Sequence, residues 1–68
     1  MKIDPHLYDI RIEKEVIEGI TYHVATVSQL PDVTEYGDTW QEAYELVTDT
    51  IRTAASMYAD AGRVLPPP

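Results

Sequence analysis

Acidic side chains are the residues of this chain whose number and type could do chemistry. The sequence holds 12 aspartates and glutamates against 5 lysines and arginines, and its formal net charge is −7. Converging carboxylates can bind a divalent metal ion. Asp9 and Glu13, however, lie four residues apart on one face of a predicted strand, which separates them by about 13 Å. That spacing is too wide for a shared metal ion.

A second acidic group, Glu42, Glu45 and Asp49, follows the spacing of one helix face. Like charges at these spacings repel slightly. We therefore favour a solvated acidic ridge, in which Arg52 pairs with Asp49, over a site with oxygen ligands for a metal. The ridge, together with Trp40 in the first helical turn, is our candidate surface for binding a partner. For Trp40 we favour packing over the sheet edge.

Other catalytic arrangements find no support in the sequence. There is no cysteine, His23 is alone in a predicted strand, and Ser28 and Ser56 stand in no context of an activated nucleophile. The three glycines are isolated, so no phosphate-binding loop is predicted. We predict no catalytic, cofactor-binding or metal-binding residue, and no enzyme.

Size and charge narrow the possible partners. A chain of 68 residues forms one domain that is marginally stable alone, and this favours a homodimer. The negative charge argues against direct binding of nucleic acid and suits a basic protein partner, although acidic surfaces also simply keep proteins in solution. No apolar run approaches the ~20 residues of a membrane span, and we expect a cytoplasmic protein.

One long helix, predicted over about residues 39–61, organises the chain. Thr39 and Glu42 fit a capping box, in which Glu42 reaches the N–H of Thr39, and Asp38 adds charge that favours a helix start. Gly62 is predicted to end the helix in a left-handed conformation. Apolar residues recur with the period of a buried stripe: Ala43, Val47, Ile51, Ala54, Tyr58 and Ala61.

Three strands are predicted before the helix, over about residues 7–16, 20–28 and 33–36, with a turn at Glu18-Gly19 and a connection over 29–32. A proline tail, 64–68, follows the helix, and we expect Val64 and Leu65 to pack under the helix end. The order β-β-β-α predicts an α+β fold, a two-layer sandwich of a three-stranded antiparallel sheet and one helix. Because the second strand is apolar on both faces, a second subunit is one candidate cover for the face that the helix leaves open.

The order of these segments resembles the HicB-like antitoxin family. The resemblance rests on Tyr22-His23-Val24-Ala25, then Leu30-Pro31, then Gly37-Asp38-Thr39 with Glu42-Ala43, and finally Gly62 before a proline-bearing segment. The Gly37 to Ala43 match is the specific part. Ser28 and Gln29 stand where the family often has proline and aspartate, and Asp32 where it often has glycine.

The resemblance implies a partial, degenerate RNase H-like fold without catalytic carboxylates. It also implies a function in a type II toxin-antitoxin system, the neutralisation of a small basic HicA-like toxin that cleaves mRNA. Family members usually continue into a fourth strand and often a DNA-binding domain. The sequence offers no counterpart of either, so DNA binding is not carried over.

Three functional hypotheses follow. The first is the toxin-neutralising binding protein. The second is an orphan HicB-like module that acts as a homodimer with no toxin partner. The third, a nuclease remnant, requires Asp9, Glu13 and Glu42 to converge on a metal ion, and we disfavour it.

Overall fold

The computed structural model describes residues 3–68 and contains a short 3-10 turn, three strands and one helix. The predicted β-β-β-α order is confirmed. In chain order the elements are the 3-10 turn Pro5–Leu7, β1 (Ile10–Ile17), β2 (Ile20–Val27), β3 (Leu30–Gly37) and α1 (Trp40–Asp60).

The strands form one antiparallel sheet in the order β1-β2-β3. The predicted turn between β1 and β2 is confirmed, and Glu18 and Gly19 both have positive φ, 51° and 79°. Positive φ at two consecutive turn residues is the geometry of the two-residue hairpin whose twist matches that of the strands. Ser28 and Gln29 make the second connection, between Val27 and Leu30.

The prediction that β1 starts near residue 7 is wrong, because local hydrogen bonds fold residues 4–8 into a turn. The Asp4 carboxylate accepts from the backbone N–H of His6 at 3.0 Å, and the Tyr8 N–H donates to the carbonyl of Pro5 at 3.2 Å. Proline at the first position of such a turn loses no hydrogen bond. The alternating strand therefore begins only at Ile10.

The predicted bounds of β3 are also wrong, because β3 begins at Leu30 and includes Pro31. Leu30 pairs with Val27 and Thr34 pairs with Thr26, so three residues of β3 bulge out of the ladder at this point. A proline needs no ladder partner in such a bulge. The segment predicted as a loop is therefore part of an irregular edge strand.

Helix α1 packs across one face of the sheet, mainly over β3 and β2. Ala43, Val47 and Ile51 are completely buried there, as the apolar stripe predicts. The later positions of the stripe are less covered, since Ala54 and Tyr58 are half-buried and Ala61 is exposed. Across from the helix, the core is completed by Ile10, Ile12, Ala25, Val27 and Leu30.

Helix α1 ends just before Gly62, which has the predicted left-handed conformation. Gly62 has φ of 71°, and its N–H donates to the carbonyl of Ala59 at 3.0 Å, while the Arg63 N–H donates to Tyr58 at 2.7 Å. This pair of bonds is the Schellman motif, which satisfies the last carbonyls of a helix.

The proline-bearing tail turns back toward the N-terminal segment. Leu65 is 4% exposed and joins the core, but Val64 is 88% exposed, so the prediction that both pack under the helix is wrong for Val64. The Tyr8 hydroxyl donates to the carbonyl of Pro66 at 2.6 Å. The first and last described segments are thereby joined at one end of the sandwich.

Candidate protein-binding surface

The start of α1 is held by reciprocal hydrogen bonds. The Thr39 hydroxyl accepts from the N–H of Glu42 at 3.1 Å, as the capping box predicts. The Glu42 carboxylate, however, accepts from the N–H of Asp38 at 3.1 Å, so the prediction that it reaches Thr39 is wrong by one residue. Asp38 contributes through its backbone N–H. Glu42 therefore caps the start of α1 in addition to contributing a surface charge.

The acidic ridge of Glu42, Glu45 and Asp49 lies on the solvent side of α1, and all three residues are exposed. Arg52 donates to Asp49 at 3.0 Å, as predicted, and both side chains are largely in water, with exposures of 51% and 75%. An ion pair so exposed contributes at most about 1 kcal/mol to stability. The Arg52 guanidinium therefore partly neutralises the Asp49 end of the ridge. Glu45 forms no ion pair within residues 3–68.

Trp40 does not lie beside this ridge. Trp40 and Glu42 are two residues apart, so their side chains point about 160° apart around the helix axis, and Trp40 shares its side of α1 with the buried Val47 and Ile51. It remains 54% exposed nonetheless, because it stands in the first helical turn. The predicted partner-binding residues therefore form two separate surfaces, one acidic and one aromatic.

The carboxylates required by the nuclease hypothesis do not converge. Within residues 3–68, no group of three or more histidine, aspartate or glutamate side chains is placed to hold a metal ion. His23 lies mid-strand opposite Gly37 and Lys14. Its Nδ1 atom is buried and makes no hydrogen bond with the described part of the chain.

The face of the sheet opposite α1 is partly apolar, and no helix or strand in the described part of the chain covers it. Ile20 and Tyr36 on this face are 54% and 47% exposed. The Tyr22 and Tyr36 rings meet edge to face at 6.2 Å between centroids, and beneath them Val24 is buried. The two apolar faces of β2 were visible in the sequence, and the structure locates the uncovered one.

A groove of about 230 Å³ lies between the β3 bulge and the end of α1. Most of its lining side chains are apolar, and they include Pro31, Tyr58 and Leu65. Asp32 and Gln29 are the polar residues of the lining. The sequence did not indicate this groove, because it depends on the bulge at Pro31 and on the return of the tail.

Among residues 3–68, no helix has the length and apolar character needed to cross a membrane. Comparison of the chain with models of known protein families, with curated proteins and with solved structures finds no match.

Proposed function

We propose that this chain is a non-catalytic binding protein that neutralises a small basic HicA-like toxin, an mRNA-cleaving ribonuclease, by direct association in the cytoplasm. The observation that supports this proposal most is the exposed ridge of Glu42, Glu45 and Asp49 on a chain of net charge −7. A ribonuclease binds the phosphates of its substrate with a basic surface. An acidic helix face offers that surface a competing partner.

Charge also makes the association fast and dependent on salt. Complementary fields raise the rate of encounter between two proteins, and exposed charges are screened beyond about 10 Å at 0.1 M salt. We therefore expect the dissociation constant to rise with ionic strength, chiefly through slower association.

The proposal predicts that a small basic protein is encoded next to this chain's gene, and the test is co-expression of the two. We expect the two proteins to co-purify and the chain to restore growth that the basic protein inhibits. The double variant E45Q/D49N should weaken binding by about tenfold or more, because it removes two charges from the ridge without touching the capping residue Glu42. Removing one partner of a charge pair that becomes buried in an interface typically costs at least 2 kcal/mol.

The matched control is E18Q/D32N, which removes the same charge from the β1–β2 turn and the β3 bulge, both exposed. We expect it to bind as the unaltered chain does. Equal weakening by both double variants would mean that net charge alone attracts the partner. Absence of any co-purification or growth rescue would overturn the proposal.

A second candidate function is a stand-alone module that acts as a homodimer. The uncovered apolar side chains of Ile20 and Tyr36 favour it. Tyr36 contacts Tyr22 on the same face, and an apolar patch, unlike a single exposed apolar residue, marks an interaction site. A stable dimer in the absence of any basic partner, together with no neighbouring basic gene, would favour this function over toxin neutralisation.

A further inference from the structure

Strand β1 has a regular outer edge that no other strand within residues 3–68 pairs with. It lies at one side of the sheet and pairs with β2 over eight residues, Ile10 to Ile17, without a shift in register. The N–H of Ser28 donates to the carbonyl of Asp9 at 3.0 Å, so the peptide groups of Asp9 point toward β2. Because successive peptide groups alternate in direction, those of Ile10, Ile12, Lys14 and Val16 point away from the sheet.

The opposite edge, on β3, is not equivalent. Its ladder with β2 is interrupted where Pro31, Asp32 and Val33 bulge out between Leu30 and Thr34. Proline and a bulge are two of the devices that prevent a sheet edge from pairing with another strand. Of the two sheet edges within residues 3–68, only β1 is therefore a straight template, and pairing through one edge closes at two copies.

The charges on β1 select how two copies would pair. In antiparallel pairing about a two-fold axis through Ile12, Arg11 of each copy faces Glu13 of the other, in the close position where Cα atoms are about 4.5 Å apart. These two side chains are 76% and 70% exposed, and already lie 3.7 Å apart within one chain. Opposite charges facing each other stabilise a strand pair.

Neighbouring registers are less favourable. An axis through Glu13 sets that glutamate against its own copy, although it also brings Arg11 opposite Glu15. An axis through Lys14 sets Lys14 against Lys14 and places Glu13 opposite Glu15 twice. The Ile12 register brings Asp9 opposite Glu15 only at its two ends, where the Asp9 carboxylate accepts from Gln29 Nε2 at 3.0 Å.

We infer that β1 pairs with β1 of a second copy of this chain, antiparallel about Ile12, to form a continuous six-stranded sheet. The pairing supplies roughly six backbone hydrogen bonds and sets the two Ile12 side chains side by side on the face that carries the helices. Both copies of α1 then lie on the same face. The inference rests on the homodimer named above as the second candidate function, assigns it an interface at the β1 edge and not on the face of Ile20 and Tyr36, and does not depend on a toxin partner.

The experiment measures the molar mass of the full chain by sedimentation over a range of concentrations. We expect a dimer that dissociates on dilution, with a dissociation constant raised at least tenfold by R11E. The double variant R11E/E13R keeps the net charge and exchanges the two partners, so it should restore dimerisation. The control R52E changes the charge equally on α1 and should leave the dissociation constant unchanged.

A backbone variant tests the edge itself. Lys14→Pro removes an N–H that points away from β2 and should abolish the dimer, whereas Lys14→Ala keeps the N–H and should retain it. Circular dichroism identifies any variant that has lost its fold, and the charge variants then decide the question. A monomer at all concentrations, or a R11E/E13R variant that stays as weak as R11E, would overturn the inference. E45Q/D49N, the variant expected to weaken toxin binding, should dimerise as the unaltered chain does. The two proposals can therefore fail independently.

Discussion

Gly37 shows how one residue fixes the relation between the sheet and the helix. It ends β3 and is buried, and a Cβ atom placed there would lie 2.5 Å from the backbone nitrogen of Ala43 and 3.0 Å from its Cα. The neighbouring atoms are helix backbone, which cannot move aside as a flexible side chain can. The glycine is therefore needed for the close approach of β3 to the first turn of α1.

We expect Gly37→Ala to lower the free energy of unfolding by about 1–3 kcal/mol, the usual cost of forcing an extra carbon into a packed interior. Urea denaturation measures the change. Asp38→Ala, at the next and exposed position, removes only the charge that favours the helix start and should cost at most about 1 kcal/mol. If Gly37→Ala proved as mild as this control, the helix start would have to be free to shift away from the sheet.

Tyr8 gives the chain a dependence on alkaline pH. Burial raises the pKa of the Tyr8 phenol above its ordinary value of 10.0, since an apolar environment disfavours the charged form. The folded state therefore favours the neutral phenol. Its contribution to stability is complete below pH 10, and is lost as the pH rises from there through the pKa of the folded state.

We expect the free energy of unfolding to fall, as the pH rises above 10, by a larger amount in the unaltered chain than in Tyr8→Phe. At pH 7 the variant should be less stable by about 1 kcal/mol, because it loses the hydrogen bond to Pro66. Tyr36→Phe, at an exposed tyrosine, should keep the alkaline loss seen in the unaltered chain. The same alkaline loss in Tyr8→Phe would show that other groups cause it.

At the scale of elements, the helix could be predicted closely and the strands less so. Thr39 and Gly62 fix the ends of α1 through bonds to residues three to five positions away, and such local signals are legible in a sequence. The start of β3 depends instead on which residue of β2 faces Leu30. Pro31 suggested a loop because the bulge that accommodates it exists only once the two strands have paired.

The candidate protein-binding surface also divides into features that local sequence signals predict and features that depend on tertiary contacts. The positions of Glu45 and Asp49 on the solvent side of α1 followed from the helical period alone. The separation of Trp40 from that ridge follows from the period too, but its exposure depends on where the sheet ends beneath the helix. The groove beside Tyr58 was not predictable, because the tail that forms one wall of it is placed by tertiary contacts.

The capping box supplies a prediction for α1. Thr39→Ala removes the acceptor for the Glu42 N–H and should lower the free energy of unfolding by about 1 kcal/mol. Thr39→Ser keeps the hydroxyl and should cost much less. Thermal and urea denaturation both report the difference, and equal losses in the two variants would mean that the hydroxyl does not carry the effect.

At the scale of the whole molecule, the tail completes the core. Leu65 and Val64 are neighbours in sequence with opposite surroundings, at 4% and 88% exposure. Leu65 packs with the same cluster that holds Tyr8 and Leu30. The last described segment is thus part of the folded unit and not an appendage to it.

Leu65 and Val64 form a matched pair of positions for mutation. We expect Leu65→Ala to lower the free energy of unfolding by about 2–4 kcal/mol, the common cost of emptying a buried leucine site, and Val64→Ala to change it by no more than about 0.5 kcal/mol. Urea denaturation distinguishes the two outcomes. A small effect of Leu65→Ala would mean that the tail is readily released from the core.

The bond from Tyr8 to Pro66 has a consequence for the order of folding. Neighbouring strands of the sheet are also neighbours in the chain, so both hairpins close short loops, and contacts of this kind form early. Tyr8 and Pro66 are 58 positions apart, and their contact needs the sheet and helix to be in place first. We expect the amide protons of β2 to exchange with solvent more slowly than those beside this contact, because the joined ends are the last part of the chain to close and the first to open.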